Sequence, residues 1–436
     1  MTLTTTISGW GNYPQQEAQL LTPSSFASLK ASVKQDGDLI VRGMGRSYGD
    51  SANASRVLQT SYYDHFVDFD AKTGRLTAET GITLREILKV IVHSGWFLPV
   101  TPGTSYVTLG GAIASDVHGK NHHTAGTFGQ HVESISMMLG TGEVVTASQV
   151  DNLDLFHATC GGMGLTGVIL SATIQLIPIR SSFINQKAVK ADCIESACEA
   201  LDDNDSANYS VAWIDCLAKG KHLGRSVLML GEHAQSGHVE INIKDPICVP
   251  FNTPSNLLNS FTMKTLNGAY WQKTRHNQTQ KVPFIPYFYP LDAIGNWNKL
   301  YGKPGFLQFQ CVIPKYDGIA NMRKLLLEIR KSREGSFLAA LKKFGEANNN
   351  LLSFPTAGYT LALDFKLTES AIGTLHRLED IVVGMGGRVY LTKDAVMQEA
   401  NFKTTYPNWE QFESVREKYG AIGKFRSAQS QRLGLA

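Results

Sequence analysis

Several features are scarce in this sequence, and each scarcity excludes something. No apolar run approaches the roughly eighteen residues needed to cross a bilayer, so membrane contact would have to be peripheral. The N-terminal stretch MTLTTTISGWGNYPQQ lacks the charged and apolar segments of a secretory signal. The six cysteines (Cys160, Cys193, Cys198, Cys216, Cys248 and Cys311) form no CxxC pair and no zinc spacing, which suits a reduced cytoplasmic protein. Only 18% of the 436 residues are charged, and the net charge is +3. That is far short of the basic stripe that nucleic acid requires, but it is compatible with an anionic small substrate. There are no internal repeats and no low-complexity tracts. With 43% hydrophobic residues the chain reads as globular and too long for one ordinary core.

The first 180 residues alternate short apolar runs with glycine turns. DLIVRG (38–43) and RLTAETG (75–81) read as strands, and TLREILKVIVHSG (83–95) as a helix with a capping box between Thr83 and Glu86. ISMMLGTGEVVTA (135–147) reads as strand, turn and strand, DLFHATCGG as a helix stopped by its glycines, and GVILSATIQLIPI (167–179) as one long strand. Beyond residue 183, YSVAWIDC (209–216) and FLQFQCVI (306–313) predict strands and ANMRKLLLEIRKS (320–332) a helix. An irregular stretch, roughly 233–285, carries interleaved aromatic and basic residues. It predicts a long loop that either lies on a membrane or serves as a lid, with Tyr270, Trp271, Lys273, Arg275 and Lys281 as the contacts. The C-terminal SVREKYGAIGKFRSAQSQRLGL predicts a basic helical tail. The mixture is α+β rather than a regular βαβ series.

Three glycine clusters stand in the N-terminal half. RGMGRSYGD (42–50) follows a strand, so its glycines can turn the backbone tightly and aim several N–H groups at one anion. PGTSYVTLGGAIA (102–114) brackets a short β-type run with Gly103, Gly110 and Gly111. GMGLTG (162–167) matches the dinucleotide fingerprint by letter, but a helix precedes it and a strand follows. The helix N-terminus that would meet a pyrophosphate is therefore missing. A dinucleotide could still be cradled by several loops together.

Four of the twelve histidines crowd into GGAIASDVHGKNHHTAGTFGQHV (110–132). A metal would need facing ligands, and Gly119, Gly126 and Gly129 prevent a ligand-bearing helix, so no metal is expected. His122, His123 and His131 read as satisfied polar groups in a packed loop. His118 and Lys120 follow a small-residue run that lets the backbone approach a large flat ligand, where they could exchange a proton or hold an anion.

The segments GWGNYP, RGMGRSYGD, PGTSYVTLGGAIASDVHGKNHHTAGTFGQHV, GGMGLTGVI, WIDC, GFLQFQCVIP, LSFP and GGRVYLTKDA occur in this order. In this the chain resembles the decaprenylphosphoryl-β-D-ribose 2-oxidase family, FAD enzymes of the vanillyl-alcohol-oxidase/p-cresol-methylhydroxylase superfamily. The resemblance implies a two-part FAD-binding domain, 1–182 plus 388–436, around an inserted substrate domain, 183–387, built on an antiparallel sheet. It assigns cofactor contacts to Gly43, Gly45, Arg46, Ser47, Tyr48, Gly103, Thr104, Thr108, Gly110, Gly111, Ala114, His118, Gly119, Lys120, Asn121, Ile169 and Tyr390. Superfamily members that tether FAD covalently do so through a histidine in the first glycine loop. This loop has Arg46 and no histidine, so the FAD is expected to be non-covalent.

By the same resemblance Lys393, His118 and Tyr390 are catalytic candidates, with Lys393 the base if burial lowers its pKa. Substrate contacts are expected from Lys120, Trp213, Phe288, Gln308, Gln310, Lys342, Thr360, Ala362 and Lys393. The family carries Asn and Cys where this chain has Thr360 and Ala362, and Tyr where it has Phe288. These departures lie in the substrate pocket, and the loss of the thiol removes the attachment point of cysteine-directed inhibitors. The implied reaction oxidises the C2 hydroxyl of a polyprenylphosphoryl ribose to a ketone, and a separate short-chain reductase completes an epimerisation to the arabino sugar. The substrate would be a lipid-linked sugar phosphate, met in the cytoplasm or on the inner face of the cytoplasmic membrane. The alternative is a flavin oxidase of a soluble alditol or aldonolactone.

Overall fold

The structure, a computed structural model, describes residues 2–242, 244–254, 260–332 and 339–436. The strands expected in the first 180 residues form, and they fall into two sheets. β1 (Thr2–Ile7), β2 (Gln16–Leu21), β3 (Ile40–Arg42) and β4 (Arg56–Gln59) lie in the order β1-β2-β4-β3, with β4 parallel to both neighbours. β5 (Phe66–Asp70), β6 (Arg75–Glu79), β7 (Val132–Met138), β8 (Val144–Ser148) and β9 (Val168–Gln175) form an antiparallel sheet in the order β5-β6-β9-β7-β8. The long strand expected over 167–179 breaks at Leu176. Ile177 and Pro178 pair instead with Phe97 and Trp96.

Helix α1 (Leu84–Ile91) starts where Thr83 accepts from the Glu86 N–H, 3.2 Å away. The expected capping box is only half made, because the Glu86 carboxylate reaches forward to Lys89 (2.7 Å) rather than back to the cap. The β-type run expected between Gly103 and Gly110 forms no strand beyond a bridge from Thr108 to Thr83, and helix α2 (Leu109–Ala114) follows, capped by Thr108 accepting from Gly111 N at 3.0 Å. One further turn, α3 (His122–Ala125), follows. GMGLTG does sit between helix α4 (Leu153–Thr159) and β9, the reverse of the dinucleotide-binding order.

The middle of the chain builds one large antiparallel sheet. Its strands are β10 (Phe183–Ala191), β11 (Tyr209–Ile214), β12 (Ser226–His233), β13 (Gln278–Pro283), β14 (Phe306–Pro314), β15 (Ala339–Phe344), β16 (Gly358–Lys366) and β17 (Arg388–Val389). They run in the order β13-β10-β12-β11-β15-β16-β14-β17. Helices at Ile194–Asp203, Gly318–Ser332 and Glu369–Gly384 cover one face, while the other face meets the glycine loops across a cavity. The aromatic and basic stretch expected as a loop is instead helix α5 (Ser260–Lys273) followed by β13. Several of its side chains turn back onto the sheet. Tyr270 packs edge-on against Trp213 (4.8 Å), and the Trp271 ring lies under the Lys190 ammonium (4.2 Å).

The C-terminal tail is two helices, Trp409–Lys418 and Ala428–Arg432, rather than one, because Gly420 and Gly423 adopt the left-handed conformation between them. The end of the chain returns to its beginning. Leu39 bridges to Phe425, and Arg432 donates to the buried carboxylates of Asp50 (2.7 Å) and Asp394 (2.9 Å). Among the described residues no helix is long and apolar enough to cross a membrane.

Candidate active site

A single cavity of about 900 Å³ runs between the glycine loops and the open face of the large sheet. One wall is the 42–50 loop, pinned from behind by Arg42, which donates to Ser8 O (2.7 Å) and Asn53 Oδ1 (3.1 Å). Gly43 touches Thr108 so closely that any Cβ would overlap its hydroxyl. Gly45 holds φ +59°, left-handed, where a side chain would run into Arg42. These glycines leave the loop backbone bare toward the cavity. The Arg46 guanidinium stacks on Trp10 at 4.2 Å, and burial lowers its pKa.

The opposite wall depends on Asp116. Its buried carboxylate accepts from Gly129 N (2.9 Å), Asn348 (2.7 Å), Asn350 (2.9 Å) and Ser353 (2.6 Å), and its own backbone is left-handed at φ +39°. Four donors on one carboxylate tie the 116–129 segment to the β15–β16 connection. This fixes the segment that carries His118 and Lys120. The neighbouring histidines are occupied structurally. His122 Nδ1 accepts from Gly345 N (3.1 Å), His123 Nε2 meets Ala207 O (2.8 Å) and His131 Nε2 meets Ala125 O (2.9 Å).

His118 is buried with the Lys342 ammonium 3.4 Å from Nδ1 and the Gln310 amide 2.9 Å from Nε2. An amide nitrogen can only donate, so the imidazole Nε2 accepts from Gln310. Burial and the adjacent Lys342 hold the imidazole well below its usual pKa, hence neutral.

Three lysines line the same space. Lys393 lies over the Tyr48 ring at 3.8 Å. Burial lowers its pKa to about 7, opposed by the Asp364 carboxylate and aided by Lys342. Burial, with Lys342 next to it, brings Lys120 to about 7, and burial brings Lys342 to about 8. Lys120 donates to Phe288 O at 3.1 Å. The Tyr390 hydroxyl donates to Ser115 O (2.9 Å) while its ring stacks on Phe354 (4.5 Å), and burial raises its pKa.

The cavity wall includes all but two of the catalytic, cofactor and substrate candidates named from sequence. Asn121 instead donates to Pro99 O (2.8 Å) behind the wall. Thr360 sits beneath Gln310, 3.2 Å from its amide. Lys342 is carried into the cavity by strand β15. Tyr270, named from sequence as a membrane or lid contact, lines the cavity from α5. One participant escaped the sequence reading. Asp364 is fully buried, accepts from Gln308 (2.5 Å) and Tyr301 (3.1 Å), and has its pKa raised by burial to about 6. It shares a strand face with Thr360 and Ala362, so the alternate spacing was the available signal.

The residues present fit FAD. A loop stripped of Cβ atoms, a capped helix start at Gly110 and Gly111, and a cavity shared with cationic and amide side chains suit a dinucleotide carrying a flat ring system. Comparison with known proteins agrees. Residues 20–148 match the FAD binding domain family. The chain is 33% identical to the decaprenylphosphoryl-beta-D-ribose oxidase of Mycolicibacterium smegmatis over 100% of this chain and 98% of that one. It is 21% identical to the L-gulono-1,4-lactone dehydrogenase of Mycobacterium tuberculosis over 94% and 95% of the two chains. It is also 26% identical to the D-arabinono-1,4-lactone oxidase of Yarrowia lipolytica, over 38% and 34%. Identity of this extent along the whole length settles membership: the chain belongs to the decaprenylphosphoryl-β-D-ribose oxidase family of FAD-dependent oxidoreductases.

Proposed function

We propose that this enzyme oxidises the C2 hydroxyl of a polyprenylphosphoryl-β-D-ribose to the 2-keto sugar. A separate short-chain reductase would then complete an epimerisation to the arabino form. The observation that carries the reading is one cavity in which three lysines of lowered pKa and a pair of glutamines face a loop fit for FAD. Bound FAD would supply the two-electron acceptor that the oxidation needs. Lys393 Nζ, neutral above pH about 7, takes the hydroxyl proton. Lys120 and Lys342 face the substrate phosphate, whose negative charge would raise their lowered pKa values and hold them protonated against it. Gln310 and neutral His118 hold the sugar hydroxyls, and Gln308 fixes Asp364 beside Lys393. Tyr390, tied to Ser115, gives the wall that excludes water.

The cofactor is held without a covalent bond, since the 42–50 loop offers Arg46 where a tethering histidine would stand. FAD contacts come from the N-terminal segment 1–182 and the returning segment 388–436, and substrate contacts from the inserted 183–387, joined by His118, Lys120 and Lys393. The Arg432 clasp supports counting the two ends of the chain as one unit. The lipid is met at the inner face of the cytoplasmic membrane through the cavity rim. There the exposed Ile247 (84%) pairs with Ile294 and adjoins Cys248, both of the cavity wall.

The test is product analysis by mass spectrometry with farnesylphosphoryl ribose and, in parallel, a soluble aldonolactone. Loss of two hydrogen atoms from the ribose ring of the first, with the lactone untouched, is expected. The reverse pattern would replace this reading by the soluble-substrate oxidase.

A further inference from the structure

Strand register sets a row of side chains across the floor of the cavity. Gln310 on β14 stands opposite Ala362 on β16, Ala362 opposite Ala340 on β15, and Ala340 opposite Trp213 on β11. Directly opposed residues of antiparallel neighbours share a face. The next row continues outward with Val211 opposite Met229 on β12. All of these line the cavity, which extends as far as Gln186 on β10. Five interstrand spacings of about 4.8 Å make this span roughly 24 Å.

The chemistry changes along the row. At the Gln310 end stand His118, Lys342 and the amides. From Ala362 outward the floor is methyl groups, an indole, a valine and a thioether, and the polar Gln186 returns only at the far end. Tyr270 of α5 closes over Trp213, 4.8 Å from it, as a roof. An apolar lane that begins at the reacting end and leaves under a helix does not suit a small polyol, which would leave it unfilled.

We infer that the lane over Ala362, Ala340, Trp213 and Met229, roofed by Tyr270, binds the first units of the substrate's prenyl chain. It thereby selects lipid-linked over tail-less sugar phosphates. The inference rests on the ribose reading above and adds where the tail lies. Ala340, at the middle of the row, decides whether the lane is open, because a large side chain there must project between Ala362 and Trp213.

The test compares holoenzyme kcat/KM for farnesylphosphoryl ribose with that for methylphosphoryl ribose, in wild type, Ala340→Phe and Met229→Gln. The wild type should prefer the tailed substrate, and Ala340→Phe should cut that preference about tenfold or more. Met229→Gln, nearly isosteric, should cut it several-fold by placing an amide in the lane. An unchanged preference in both variants would overturn the inference, and bound flavin per chain shows whether each variant has folded. Farnesyl phosphate binding, followed by tryptophan fluorescence, separates the two levels. If neither sugar is oxidised but farnesyl phosphate binds wild type and binds Ala340→Phe at least tenfold more weakly, the ribose reading fails and the lane stands. If farnesyl phosphate binds both variants as well as wild type, the lane fails by itself.

Discussion

Replacing Lys393 by methionine removes the proposed base while keeping an unbranched side chain of similar length over Tyr48. With a pKa of about 7, roughly nine-tenths of this lysine is neutral at pH 8. An ordinary lysine of pKa about 10.4 would be neutral in fewer than about one molecule in a hundred. The cavity therefore raises the population of the basic form by more than a hundredfold at that pH. A general base in position contributes about 10² to 10⁴ in rate, so Lys393→Met should slow substrate-driven flavin reduction by that factor. Its sign in pH follows: the neutral amine is the active form, so the wild-type rate climbs as pH rises through about 7, and the variant shows no such limb. Anaerobic stopped-flow at 450 nm, a wavelength of about the flavin maximum, reads both quantities. Retention of the rate within about threefold, or survival of the limb in the variant, would refute the assignment.

Other predictions follow from the same site and its supports. The Asp364 carboxylate raises the Lys393 pKa, so Asp364→Asn should move the limb to lower pH, as read from the same profile. Arg432→Met leaves Asp50 and Asp394 as buried, uncompensated charges, and should destabilise the chain by roughly 3–5 kcal/mol, visible as a lowered melting temperature with easier loss of flavin. Gly43→Val drives a side chain into Thr108, which caps α2, and should lower the flavin bound per chain measured by absorbance. Acid precipitation should leave flavin in the supernatant, whereas flavin in the pellet would contradict non-covalent binding.

Where the sequence read true, local chemistry and tertiary packing agreed. Gln308 and Gln310 alternate on one strand face, the glycine loop follows β3, and helix-before-strand order disqualified GMGLTG. Where it misled, packing overrode propensity. Two glycines at the start of α2 argue against a helix, yet Thr108 caps it and Leu109, Ala112 and Ile113 are buried. Helix α5 reads as a loop because aromatic and basic residues mask its inward set. Even so, Met263, Asn267 and Tyr270 sit four and then three residues apart, the spacing of one helical face. Lys342 lies on a six-residue strand, too short to declare a period of two. Asp116, with four donors drawn from two distant segments, could not be read from spacing at all.

The central claim is that this cavity oxidises a lipid-linked ribose, and the most direct measurement is the flavin spectrum under anaerobic conditions as farnesylphosphoryl-β-D-ribose is added. Bleaching of the oxidised band with stoichiometric 2-keto sugar is the predicted result. A flavin that stays oxidised with this substrate but bleaches with a soluble alditol or aldonolactone would contradict it.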